Sequence, residues 1–370
     1  MDVSRAFVEE PTGTERYSYE IITRLVALPE AKRHEWILYT RNVIPTEALA
    51  KWRDPSTHST SLRAGSLGMT IRRIPMKYLW TQVGLAYRTW VDRLDVLWVP
   101  AHTLPVLRNP RLKTVVTVHG IEYEWLPAYE NRLQSWYLPL STKYAVASAD
   151  KIIAVSEFTK KQLMERLGAD ERKISVVYEG VSQQRSVTSV QRSEILHKLN
   201  LRPGRYLLFI GTIQPRKNLE RLIEAFLKLK IKNLKLVICG KWGWGYKKLQ
   251  EIKDKNIIFT GYVSDEERQV LLENALVYVQ PSITEGFGLP VLEAMRAGVP
   301  VASSSGGALA EVVNEAGELF NPLDTDDMRN KIERAMGNTK LLIVKGKKRV
   351  GEFSWDKAAI ETYNILTNWP

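Results

Sequence analysis

Two glutamates flank a glycine turn in the last third of the chain. Glu285 precedes Gly286 and Gly288, and Glu293 lies one turn into a predicted helix that begins at Pro290. Glycine lets the backbone turn sharply and approach a ligand, and the N-terminus of a helix attracts anions. Carboxylates beside that site accept hydrogen bonds from hydroxyl groups. The stretch predicts a ligand with both phosphate and sugar hydroxyls, although an acid early in a helix is also stabilising by itself.

Two adjacent cations follow another predicted strand. Tyr206–Ile210 is a continuous apolar segment, Gly211 follows it, and Arg216 and Lys217 precede a predicted helix from Leu219 to Leu229. Arginine binds phosphate oxygens in bidentate fashion, and lysine acts as a point charge. The pair predicts a clamp for a diphosphate, and the alternative is a pair of solvated surface charges.

The stretch from 285 to 293 resembles the E-x7-E signature of the retaining glycosyltransferases of family 4. The matching residues are Glu285, the run Gly286-Phe287-Gly288-Leu289-Pro290, and Glu293. The resemblance implies an α/β protein with the GT-B fold, in which two Rossmann-like, doubly wound parallel-sheet domains face each other across a cleft that holds the active site. It extends over nearly the whole chain, and its specific motifs lie in the second half.

The same resemblance implies roles for individual residues. Arg216 and Lys217 would grip the donor diphosphate, Glu285 would hold sugar hydroxyls, and Glu293 would hold the ribose. The residues implied in catalysis are Glu285, Arg216, Lys217 and His119. Those implied in binding the donor are Gly13, Gly211, Val263, Gly286, Phe287, Gly288, Leu289 and Glu293.

Two of these residues belong to the first half of the chain. His119 ends a predicted strand, and open α/β sheets bind ligands at the carboxyl ends of their strands. In the family a histidine there faces the donor sugar and Asp often follows it, whereas this chain has Gly120.

Gly13 lies in a predicted loop, residues 11–16, that either faces the ligand or forms a simple turn. The strand that precedes this loop in the family is mostly missing, which would leave neighbouring strands unpaired.

The implied reaction moves a hexose of the mannose or glucose type from a GDP- or UDP-sugar to a hydroxyl of a glycan or lipid-linked acceptor. The anomeric configuration would be retained by same-face attack, and the leaving phosphate would take the acceptor's proton. Fixed positive groups would replace a metal, so no metal and no cofactor are expected. The sequence Asp324-Thr325-Asp326 has the form of a metal motif, but a helix cap is the preferred interpretation.

Composition limits the class of protein. The chain has 370 residues, 44% apolar content and one cysteine, Cys239, within an apolar strand. This length suits two α/β domains. The resemblance implies that residues 1–182 form an N-terminal acceptor domain, that 190–354 form a donor domain, and that a final helix within 355–370 packs back on the first. The chain is expected in the cytoplasm, alone or as a peripheral protein on the inner face of the membrane.

The net charge of +12 indicates anionic partners. No nucleic-acid-binding motif accompanies it, so a membrane surface ranks above nucleic acid. The stretch from Arg63 to Arg93 mixes basic and aromatic residues and predicts either a lipid-interface segment or a helix packed on the sheet with solvated arginines. A glycine-rich segment, residues 240–245, is interpreted as a flexible turn.

Two alternatives to a transferase remain at this stage. One is a nucleotide-sugar epimerase with the same fold, which would need no acceptor. The other is a non-enzymatic, basic protein of the membrane surface built on the stretch from Arg63 to Arg93. Product analysis without an acceptor separates the first from a transferase, and vesicle binding without sugar transfer would identify the second.

Overall fold

A computed structural model of the chain describes residues 1–8, 11–41, 44, 63–64, 69–76, 78–124, 132–182 and 187–369. The chain forms two compact units. The first comprises Met1–Ile121, Trp136–Gly180 and Ser354–Pro370, and the second comprises Glu122–Ser135 and Val181–Phe353.

Strands and helices alternate along most of the described chain. The strands are β1 (Trp36–Thr40), β2 (Arg63–Ala64), β3 (Met69–Arg73), β4 (Val96–Val99), β5 (Lys113–Val118), β6 (Lys151–Ala154), β7 (Ile174–Val176), β8 (Tyr206–Ile210), β9 (Lys235–Cys239), β10 (Ile257–Gly261), β11 (Val277–Gln280), β12 (Val301–Ser304) and β13 (Glu318–Phe320).

The α-helices are α1 (Gly13–Ala27), α2 (Ala86–Val91), α3 (Arg132–Ser148), α4 (Glu157–Leu167), α5 (Ser189–Lys198), α6 (Leu219–Leu229), α7 (Lys247–Gln250), α8 (Asp265–Glu273), α9 (Leu289–Arg296), α10 (Leu309–Val313), α11 (Thr325–Gly337), α12 (Thr339–Val350) and α13 (Trp355–Thr367). A π-helical segment, Trp80–Leu85, leads into α2.

The first unit contains two sheets whose order is β1-β3-β2 and β4-β5-β6-β7. All their pairings are parallel except that of β2 with β3. The first residues of the chain lie between the sheets: Val3 N donates to Tyr39 O at 2.9 Å, and Asp2 N donates to Trp98 O at 3.0 Å. The expectation that the neighbouring strands lack partners here is therefore wrong at these positions.

The second unit is a six-stranded parallel sheet in the order β10-β9-β8-β11-β12-β13. Its four central strands, β9, β8, β11 and β12, are almost wholly buried, as parallel strands covered by helices on both faces must be. Cys239 is buried in β9 as predicted, and burial raises the pKa of its thiol to about 12. The order reverses direction between β8 and β11, so the loops that follow these two strands lie side by side.

Helix α6 illustrates how the sequence positions these elements. Its buried residues, Leu219, Leu222, Ile223, Phe226 and Leu229, recur with the period of one helical face and pack on the sheet. Its bounds agree with the prediction.

Side-chain caps also begin several helices. Ser156 accepts a hydrogen bond from Thr159 N at the start of α4. Asp324 accepts from the backbone of Asp326 and Asp327, which confirms that it caps α11.

Two local predictions are wrong, and one is not tested. The expected loop around Gly13 ends earlier, because Thr12 N donates to the Glu15 carboxylate and α1 already begins at Gly13. The segment 240–245 contains no helix or strand, and Gly243 N donates to Ile213 O at 2.9 Å, so its predicted flexibility stays a prediction. The stretch from Arg63 to Arg93 is not one helix, because its described part contains β2 and β3 before the helical segment.

We expect Leu222→Ala to lower the free energy of unfolding of the second unit by about 2–5 kcal/mol, because it removes a fully buried side chain from the core. Leu227→Ala is the matched control on the same helix, since Leu227 is 50% exposed, and its effect should stay within about 0.5 kcal/mol. Denaturant unfolding measures both. Equal effects of the two changes would contradict the assigned buried face of α6.

Candidate active site

The predicted cations and the predicted glutamate meet at the carboxyl edge of the second sheet. Arg216 and Lys217 lie in the loop after β8, and Glu285 lies in the loop after β11. Ile283 N donates to Arg216 O at 2.9 Å, which joins the two loops. This is the point where the strand order reverses, and open α/β sheets bind ligands at such points.

Glu285 forms ion pairs with both cations. Arg216 Nη1 lies 2.5 Å from Glu285 Oε2, and Lys217 Nζ lies 2.5 Å from Glu285 Oε1. Ser282 Oγ and Gln280 Nε2 donate to the same Oε1 at 2.6 and 3.0 Å. The carboxylate is thus surrounded by donors, and it holds both cations in defined positions.

These contacts set the charge of the site. Burial by itself would raise the pKa of Glu285, but the charges of Arg216 and Lys217, with hydrogen bonds from Lys217 and Ser282, outweigh it and hold the pKa at about 2. Burial lowers the pKa of Lys217, and the charge of Glu285 opposes that effect. Glu285 therefore remains an ionised hydrogen-bond acceptor over the physiological pH range.

The glycine turn leads directly into α9. Gly288 has φ +115°, and a Cβ there would lie 2.7 Å from Leu309 Cδ2, so the position requires glycine. No side chain caps the N-terminus of α9, while Leu289 begins the helix and is buried. Phe287 packs edge to face against Phe353, with ring centroids 5.7 Å apart. The helix therefore presents backbone N–H groups beside the turn.

Glu293 has a different partner from Glu285. It forms an ion pair with Arg268 of α8, and both side chains are largely buried. Of the other predicted donor-binding residues, Gly211 follows β8 and its N–H donates to Cys239 O at 2.9 Å. Val263 lies two residues after β10 and is half-buried. Their predicted contacts with a nucleotide stay predictions.

His119 follows β5 in the first unit. Its Nε2 lies 3.0 Å from Pro100 O, and its Nδ1 lies 3.3 Å from Glu179 Oε1. Because a carbonyl oxygen only accepts, Nε2 carries a proton in this arrangement. Burial raises the pKa of Glu179, and His119 opposes the rise. The predicted contact of His119 with a donor sugar stays a prediction, as does the role of Gly13.

Sequence reasoning missed several residues around the predicted ones. Gln280 could have been found, because it is a polar residue at the carboxyl end of an apolar strand. Ser282 and Glu179 carry no comparable signal. Arg268 lies in a helix that begins with three acids, and nothing in that local pattern connects it to Glu293.

Comparison with known proteins assigns the class. Residues 11–185 match the family described as Glycosyltransferase Family 4, and residues 191–349 match the family described as Glycosyl transferases group 1. The O-antigen chain mannosyltransferase B of Escherichia coli is 27% identical over 382 residues, covering 97% of this chain and 98% of that protein.

Two further relatives agree with this assignment. The O-antigen chain mannosyltransferase RfbU of Salmonella typhimurium is 29% identical over 237 residues, covering 63% of this chain and 62% of that protein. The crystal structure of Anabaena HepE in complex with UDP and glucose superposes with a TM-score of 0.70 at 16% identity, covering 98% of each chain. This second likeness concerns the fold alone.

The mainly parallel sheets of the two units and the structural likeness define a protein with the GT-B fold. The chain belongs to the family 4 type of glycosyltransferases, and it is an enzyme. The resemblance seen in the stretch from 285 to 293 is thereby confirmed. These matches favour the predicted transferase over the epimerase and over a protein without enzymatic activity.

Among the described residues, no group of three or more His, Cys, Asp or Glu side chains is placed to hold a metal ion. Over the same part of the chain, no helix combines the length and the apolar character needed to cross a bilayer.

We expect Glu285→Gln to destabilise the protein at neutral pH by about 3–5 kcal/mol, because it leaves two largely buried cations without their counter-charge. The folded-state pKa of Glu285 is depressed, so its contribution is complete above the ordinary value of 4.5 and is lost as the pH falls towards about 2. The stability gap between wild type and variant should therefore shrink below pH 4.5.

Denaturant unfolding of both proteins at a series of pH values measures this gap. Glu333→Gln, which changes an exposed glutamate of α11 in the same unit, is the control and should leave stability nearly unchanged. A gap for Glu285→Gln that stays constant through the acid range would show that the ion pairs do not stabilise the fold.

Proposed function

We propose that the protein is a retaining hexosyltransferase that moves a sugar of the mannose or glucose type from a nucleotide diphosphate sugar to a hydroxyl group of a glycan or lipid-linked acceptor. The observation that carries the proposal is the meeting of Arg216, Lys217 and Glu285 beside the N-terminus of α9. Mannose is favoured because the Escherichia coli and Salmonella typhimurium relatives are mannosyltransferases.

The diphosphate is the leaving group, and negative charge grows on it as its bond to the sugar breaks. Arg216, Lys217 and the backbone N–H groups at the start of α9 supply fixed positive charge for it. Glu285 keeps both cations in position before the reaction, so little reorganisation is needed when the charge develops. Because these fixed positive groups can take the place of a metal ion, we propose that the reaction is metal-independent.

The two glutamates act as acceptors of hydrogen bonds in this proposal. Glu285 is held ionised by its neighbours, so it is suited to bind sugar hydroxyls and unsuited to donate a proton. Glu293, oriented by Arg268, binds the ribose hydroxyls. Gly288 keeps the turn free of a side chain, so the donor reaches the backbone of the turn.

The chemical step exchanges one bond at the anomeric carbon for another. The bond from this carbon to the diphosphate oxygen breaks as the acceptor oxygen attacks from the same face, and the configuration is retained. The proton of the acceptor hydroxyl passes to the leaving phosphate oxygen. The step therefore requires no base from the protein and no cofactor.

The donor is identified by thermal unfolding with a panel of GDP-, UDP- and ADP-sugars. A ligand at about 100 times its dissociation constant stabilises the folded state by about 2.7 kcal/mol, so the true donor should raise the melting temperature clearly above the others. We expect GDP-mannose to give the largest shift. A panel in which no nucleotide sugar shifts the transition would contradict the proposed substrate class.

With the donor identified, Arg216→Ala and Lys217→Ala should each lower kcat by about 10²–10³-fold, since each removes a group that stabilises the leaving diphosphate by about 3–4 kcal/mol. Lys228→Ala is the matched control, because Lys228 pairs with surface acids on α6 and α11. Initial-rate kinetics, recorded well below the melting temperature of each variant, measure the effect. Full activity of Arg216→Ala would refute the clamp.

A further inference from the structure

The first unit exposes an unusual number of large apolar side chains. Of the nineteen exposed large apolar residues in the described part of the chain, ten lie in three segments of this unit. Isolated exposed apolar residues are ordinary, whereas contiguous ones mark a binding surface. We refer to these ten as the exposed apolar surface: Tyr78, Leu79, Val83, Tyr87, Trp90, Val91, Val106, Leu107, Tyr137 and Leu140.

Hydrogen bonds hold the three segments together. The Gln82 side chain donates to Leu104 O at 3.1 Å and accepts from Val106 N at 2.9 Å, and it also lies 3.4 Å from the Tyr137 hydroxyl. Trp90 Nε1 donates to Leu107 O at 3.3 Å. The three segments are therefore neighbours on the surface of the unit.

The helical segment from Trp80 to Val91 is apolar on both sides. Trp80 and Leu85 are buried against the unit, while Val83, Tyr87 and Trp90 point outward and are 48%, 63% and 56% exposed. A surface helix of a soluble protein normally has a polar outer face. An apolar outer face is stable only if a further apolar phase or partner covers it.

Positive charge accompanies this surface. Residues 69–113 contain eight Lys and Arg side chains and two Asp side chains. A cavity of about 530 Å³ borders Val106 and is lined by Arg108, Arg111 and Lys113, with Asp150 as its one acidic lining residue. Arg111 and Lys113 are exposed. Val106 thus belongs both to the exposed apolar surface and to the lining of this basic cavity.

We propose that the exposed apolar surface docks on a bilayer that contains acidic phospholipids. Aromatic and aliphatic side chains enter the interface between headgroups and acyl chains, and the basic residues beside them attract the anionic headgroups. Leu107, at 75% exposure, and Tyr87 provide outward contacts from two of the three segments. The surface lies in the first unit, whereas the proposed diphosphate site lies in the second.

A second copy of the chain is a poorer occupant. Two such surfaces would bring like charges together, and this repulsion opposes self-association. A bilayer of acidic lipids instead has the complementary charge. Nucleic acid would pair with the cations but would leave the aliphatic side chains Leu79, Val83 and Leu107 without an apolar partner.

The test is co-sedimentation of the full chain with vesicles of phosphatidylcholine, with or without about 30% phosphatidylglycerol. We expect binding to the acidic vesicles that weakens as salt is added. Tyr87→Ser/Leu107→Ser should reduce that binding about tenfold or more, because two apolar side chains leave the interface. Val344→Ser/Leu323→Ser is the matched control, since both residues are similarly exposed in the second unit.

A second pair of variants tests the charge. Arg111→Gln/Lys113→Gln should weaken binding to the acidic vesicles and flatten its salt dependence, while Lys232→Gln/Lys255→Gln, at exposed positions of the second unit, should do less. Unchanged melting temperatures establish that every variant is folded. This readout does not depend on sugar transfer, so it can fail while the proposed function stands.

Three outcomes would overturn the proposal. The wild type could fail to bind acidic vesicles, or the control variants could lose binding as much as the surface variants. Analytical ultracentrifugation could instead show a dimer that Tyr87→Ser/Leu107→Ser dissociates without any change in vesicle binding. That last result would identify the surface as an interface between copies of the chain.

Discussion

The ion pairs of Glu285 with Arg216 and Lys217 are the constraint around which the second unit is organised. Charged groups with little exposure to water are stable only when opposite charges are paired, as Glu285 is with both cations. This arrangement lowers the pKa of the Glu285 carboxylate to about 2, and it fixes the positions of the two cations. A site that must stabilise a developing diphosphate requires positive groups that are already in place.

The topology of the second sheet makes this contact possible. Because β8 and β11 are neighbours in space but are separated by two strands in sequence, their carboxyl-end loops converge. The glycine at position 288 then turns the chain into α9, whose N-terminus adds backbone donors to the same edge. The buried apolar strands therefore act as a rigid support, and the chemistry is confined to the two loops.

The first unit differs from the second in the apolar side chains that it exposes to water. Its sheets bury the aliphatic strands in the usual way, yet the segment from Trp80 to Val91 leaves apolar side chains on both sides of a helix. Such a face lowers solubility unless it serves a contact. The proposed docking on a bilayer of acidic lipids supplies such a contact.

The sequence by itself determined the alternation of strands and helices, the bounds of α6, the glycine turn at 286–288 and the adjacent cations at 216–217. Each of these depends on periodicity or on near neighbours in the chain. Tertiary structure alone decided that Arg268 binds Glu293, that Gln280 and Ser282 complete the environment of Glu285, and that residues 69–73 form a strand. Such contacts depend on strand order and on packing between distant segments, which local patterns do not encode. The exposed apolar surface likewise emerged only when folding showed which apolar residues stay outside.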